Sequence, residues 1–160
     1  PSQVEFVAKD FYLIKHMKEG ADAGWLYFYN FEGIEAQHEN MDVIHMDADS
    51  AGFANFCALD LFTSKSYYQK NKEKVNAFVE AIQEAIQFIE TNPEEAYDIY
   101  YAYTKEEPTP LMDDILKATT KCFSKNFESL SEKELPILKF FNEIGITDLS
   151  EDKFKKAFLN

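Results

Sequence analysis

The chain has 160 residues, 46% of them hydrophobic, and a formal net charge of -13 at pH 7. The length suits one ordinary domain with a sizeable core. So negative a surface repels polyanions and argues against a nucleic-acid partner. All sixteen basic residues are Lys, so the planar fork of Arg is missing and a neutral or cationic ligand is easier to hold than a strongly anionic one.

In chain order, Val4–Val7 reads as a strand, and Phe11–Glu19 as a helix with Leu13, Ile14 and Met17 on one face and Gly20 as its stop. Gly24–Tyr29 is apolar on both faces, as a strand buried on both sides would be. Asn30 can cap a short helix through about His38, and Asp42–Met46 reads as another strand. A turn-rich break at Asp49–Asn55 precedes a last strand-like run, Phe56–Thr63. This βαβα rhythm predicts an α/β layer.

The remainder is helical. Asn71 is a candidate cap for a helix over Lys72–Thr91, whose stripe Val75, Phe78, Val79, Ile82, Ile86 and Ile89 is expected in the core. Asn92-Pro93-Glu94-Glu95 restarts a helix to about Tyr103. Thr109-Pro110 starts another, with Leu111, Ile115, Ala118 and Cys122 expected inward. Ser131–Glu134 has capping-box spacing, with Pro136 pushing the start later; Gly145 stops that helix and Ser150 opens a short last one. The apolar stretch Phe53–Phe62 is broken by Asn55 and Asp60 and is too short to span a bilayer.

Composition shifts near residues 48–56. The front piece has too few elements to cover both faces of a parallel sheet, and the back piece has helices without a sheet to cover. Both are expected to need a partner, either an upstream half of the same protein or self-association of the chain.

The segment Trp25–Ala36 carries the most chemistry. Strand alternation would set Trp25, Tyr27 and Tyr29 on one face, with Glu32 in the first turn of the helix that follows. Aromatic faces beside one fixed carboxylate suit a flat heteroaromatic ligand bearing an amino group. The same pattern suits an aromatic core with Glu32 serving only the helix end, and pattern alone leaves both open. Cys57 and Cys122 read as buried thiols, with a single disulfide left open. His16, His38 and His45 lack ligand spacing, so no metal site is expected. Acidic pairs fall at helix starts or in loops, and Tyr97, Tyr100, Tyr101 and Tyr103 read as packing. No nucleophile elbow or phosphate loop occurs, so neither catalytic residues nor a cofactor are expected.

The stretch ADAGWLYFYNFEGIEA at Ala21–Ala36 resembles the DA…WEGIEA motif of the thiamine-pyrimidine-precursor family. That family contains substrate-binding proteins of ABC importers and the yeast-type thiamine pyrimidine synthases. The resemblance runs on through Gly52–Ser64 and into VNAFVEAIQEAIQFIETNPEEAYDIY at Val75–Tyr100, a signature shared by many related solute-binding proteins. It implies a periplasmic-binding-protein-like two-lobed α/β fold, of which this chain is an incomplete C-terminal portion rich in helices. Residues 1–47 would belong to the second lobe, 48–56 to a hinge crossing and 57–160 to the first lobe.

By the same resemblance Glu32 faces the amino side of the pyrimidine, and Tyr29, Asn30 and Phe31 line the cleft. Phe31 stands where the family usually has Trp, which keeps the ring and loses an indole N–H. The implied function is a periplasmic or membrane-anchored receptor that passes a pyrimidine precursor to an ABC permease. The alternatives are a cytoplasmic synthase of the same fold, using pyridoxal phosphate and iron, and a receptor for another small aromatic solute.

Overall fold

The computed structural model describes residues 3–7, 10–54, 56–57, 59–124 and 130–158, the side chain of Leu130 excepted. Asn55 in the expected hinge and Ala58 in the expected last strand lie outside the described residues. Eight α-helices are described: α1 (Leu13–Lys18), α2 (Glu32–His38), α3 (Lys65–Lys70), α4 (Lys72–Thr91), α5 (Pro93–Thr104), α6 (Pro110–Thr119), α7 (Leu130–Glu143) and α8 (Glu151–Lys155). A short 3-10 turn, Thr120–Cys122, follows α6.

No strand occurs among the described residues, so the α/β layer expected from Val4–Val7, Gly24–Tyr29, Asp42–Met46 and Phe56–Thr63 is not formed there. A strand is stable only against a ladder partner, and among the described residues none of these segments pairs with another. Gly24–Tyr29 is also interrupted from within, because Leu26 adopts φ 58° and breaks the extended path. Trp25, expected inside a sheet, is 66% exposed.

Helix ends follow local chemistry. The Thr109 hydroxyl accepts from Met112 N–H at 3.1 Å and Pro110 takes the first position of α6. Ser64 caps α3, which was not expected from the sequence, by accepting from Tyr67 N–H. Ser150 caps α8 in the same way through Lys153. Asn71 closes α3 as its C-cap immediately before α4. Asn92 precedes α5 but makes no side-chain cap; its amide donates to Thr91 Oγ1 at 2.8 Å. Gly145, at φ 75°, ends α7 by turning Ile146 N–H back to Phe141 O at 2.9 Å. Pro136 lies inside α7 instead of delaying its start.

The chain divides into two compact units: Pro1–His45 with Phe88–Phe123, and Met46–Gln87 with Ser124–Asn160. In the first, α2 packs between α1 and α6, and Ile14, Ala36 and Ile115 form its buried centre. Lys18 of α1 pairs with Glu39, just past α2, at 2.7 Å. Tyr101 of α5 donates to Asp113 of α6 at 2.7 Å; desolvation and that carboxylate push its phenol up to about 12.

In the second unit, α7 packs on α8 with Ile137 and Leu138 buried, and Phe53 meets Phe140 edge-on. Ser131 and Glu134 of α7 are both buried, but Glu134 serves another segment: it accepts from Cys57 N–H at 2.9 Å. Burial first, then that hydrogen-bonded carboxylate, push the Cys57 thiol up to about 11.

The stripe on α4 departs from expectation: none of its residues is buried, and Phe78 is 58% exposed. Amphipathic periodicity fixes where an apolar face lies on a helix; burial needs a second surface to cover it. Both cysteines are free, and Cys122 is exposed instead of pointing into the core. Of the four tyrosines on α5, Tyr103 is exposed, whereas Tyr100 and Tyr101 pack edge-on.

Candidate functional site

The turn leading into α2 is closed on itself. Phe31 and Gly33 N–H groups both donate to Phe28 O, at 3.0 and 3.2 Å. Glu32, half-buried in the first turn, folds its side chain back so that Oε2 accepts from Phe28 N–H at 2.9 Å. One carboxylate oxygen is thereby engaged by the backbone, which fixes the direction of the group. Nearby Glu35 has its carboxyl pushed up, by burial first and then by the charges of Glu32 and Glu39.

The three residues before Glu32 are held differently. Asn30 does not cap α2; its Nδ2 donates to Thr119 Oγ1 at 2.9 Å in a half-buried contact. The Tyr29 hydroxyl lies 3.2 Å from Cys122 Sγ, and the Cys122 thiol also reaches Ala118 O at 3.4 Å. Phe31 takes the N-cap position and offers no side-chain cap, with 43% of its surface exposed. At the other end of α2, His38 Nε2 meets Asp114 Oδ2 at 3.0 Å, and that contact foremost holds the Asp114 carboxyl below the usual range. The α2 segment is thus tied to α6 and the 3-10 turn at both ends.

The four expected ligand residues, Tyr29, Asn30, Phe31 and Glu32, are consecutive in the chain and lie at the turn that enters α2 in the first unit. Asn30 is committed to Thr119, whereas Tyr29 and Phe31 are both exposed. Exposed aromatic faces beside a carboxylate of fixed direction can stack a flat ring and accept from its amino group. Thr119 and Cys122 were not legible as part of this region. Neither was the Tyr27–His45 pair, with the hydroxyl 2.7 Å from Nδ1.

The described histidines each have a partner: His16 meets Asp10 and Glu19, His38 meets Asp114 and His45 meets Tyr27. No group of three or more His, Cys, Asp or Glu among the described residues is arranged to hold a metal ion. No described helix is long and apolar enough to cross a membrane.

A family model described as NMT1/THI5 like matches residues 1–96, more than half of the chain and including the whole Tyr29–Glu32 turn. No curated protein and no solved structure matches the chain.

Proposed function

The chain belongs to the NMT1/THI5-like family, and its role relates to a thiamine pyrimidine precursor, in binding or in synthesis; from that premise we propose that it works by binding. In this reading it is the substrate-binding component of an ABC importer, outside the cytoplasmic membrane, delivering an aminopyrimidine to a permease. The fold it would adopt with its remaining elements is periplasmic-binding-protein-like, with the ligand taken up between two lobes.

One observation carries the reading: inside the matched segment, Glu32 is fixed by Phe28 N–H beside the exposed rings of Tyr29 and Phe31. A ring that stacks on those faces presents its edge to the carboxylate, and a charge-assisted hydrogen bond to an amino group sets its orientation. Binding of this kind needs no reacting group.

The test is calorimetric titration of the chain with 4-aminopyrimidine, paired with an assay for pyrimidine formation from pyridoxal phosphate and iron. Saturable binding without product supports the receptor. Product formation places the chain on the synthetic side instead.

A further inference from the structure

Resting on the pyrimidine reading, we propose that His45 is a specificity-determining residue of the same site. Its Nε2–H would donate to the ring nitrogen beside the amino group that Glu32 accepts.

Three observations converge. Gly33, buried and immediately after Glu32, lies under the His45 ring: a Cβ there would sit 3.0 Å from Cε1 and 3.7 Å from Nε2. The missing side chain is what lets the imidazole rest against the backbone at that point. Tyr29 Cβ comes within 3.5 Å of the same position, so His45 and Tyr29 both meet the residue that follows Glu32 in the chain.

The Tyr27 hydroxyl is 2.7 Å from His45 Nδ1, with the rings tilted 40° and their centroids 5.7 Å apart. A phenol is a stronger acid than the N–H of a neutral imidazole, so the hydroxyl donates and Nδ1 accepts. The proton of the neutral ring then sits on Nε2, the nitrogen that Tyr27 does not engage. His45 is exposed, and it makes no second hydrogen bond among the described residues.

The outcome is an imidazole N–H donor resting on the glycine that follows the carboxylate residue Glu32. A ring nitrogen beside an amino group, as in 4-aminopyrimidine, would pair with both groups. In 3-aminopyridine the nitrogen is one atom further from the amino group, so it satisfies Glu32 alone. A site with a buried or oriented donor discriminates against the ligand that leaves it unpaired.

The experiment titrates the wild-type chain and His45→Ala with both compounds. Wild type should favour 4-aminopyrimidine by roughly three- to tenfold, the worth of one neutral hydrogen bond. In His45→Ala the ratio should fall to about one, and in Gly33→Ala it should drop because the added methyl displaces the imidazole. A preference that survives in His45→Ala, or no preference in wild type, overturns the role of His45 while the pyrimidine reading stands. Failure of wild type to bind either compound overturns both. Nitrogen NMR of the unliganded chain adds a readout independent of any ligand: a bare Nδ1 and protonated Nε2 are expected, shifting toward a tautomer mixture in Tyr27→Phe. A proton on Nδ1 in wild type overturns the assignment.

Discussion

Replacing Glu32 by Gln separates binding from folding. Oε2 of Glu32 accepts from Phe28 N–H at 2.9 Å, and in the proposed function the other oxygen accepts from the ligand. Gln keeps a carbonyl oxygen for the backbone and puts an amide NH2 where the second oxygen stood. The turn should survive, with the change in stability under about 1 kcal/mol, because a neutral acceptor still meets the amide. At the ligand, an ionised acceptor becomes a donor facing a donor. Loss of a hydrogen bond to a charged group costs about 1.5–3 kcal/mol, or roughly 10- to 150-fold in affinity for 4-aminopyrimidine. Glu32→Ala should lose both, weakening binding and also lowering the melting temperature. Calorimetric titration and thermal melts on the three chains read the two effects apart. Unchanged affinity in Glu32→Gln would show that the carboxylate serves only the turn.

Three further outcomes follow from the packing. Asp114 has its carboxyl lowered, chiefly by His38, so it contributes stability above its ordinary 3.8 that is lost as pH falls through the lower folded value. Asp114→Asn should flatten that part of the melting-temperature profile, and an unchanged profile would remove the pair from the account. Thr109→Ala should cost about 1 kcal/mol in urea unfolding through the lost cap on Met112 N–H, with Thr109→Ser close to wild type. Ile115, 4% exposed, should cost about 2–5 kcal/mol when cut to Ala, whereas Phe78→Ala should cost about 1–2 kcal/mol because more than half of that ring already meets solvent. A Phe78→Ala loss as large as that of a buried Phe would show that the α4 face is covered in solution.

Apart from α3, the helices were legible in the sequence because their signals are local. Lys72–Thr91 is α4 to the residue, and the α5 and α6 starts fall at Pro93 and Pro110, the second behind the Thr109 cap. The strands were not, because an extended run becomes a strand only through a distant partner, and alternation along Trp25–Tyr29 could not reveal the positive φ of Leu26. The turn at Tyr29–Glu32 could be found by resemblance, yet its supports could not. Asn30 reaches Thr119 across 89 positions and Tyr29 reaches Cys122 across 93, distances that leave no periodic trace. Gly33 was the one local hint of a close approach, silent about which side chain makes it.

The two cysteines differ as nucleophiles. A thiol moved from 9.0 to about 11 holds about a hundredfold less thiolate at neutral pH than an ordinary one, and Cys57 is in that state first through burial and then through Glu134 beside it. Cys122 is exposed and touches the Tyr29 hydroxyl. A maleimide dye under mild conditions therefore marks Cys122 ahead of Cys57. The native chain thus carries its own attachment point for a fluorophore beside the Tyr29–Glu32 turn, with no engineered residue required.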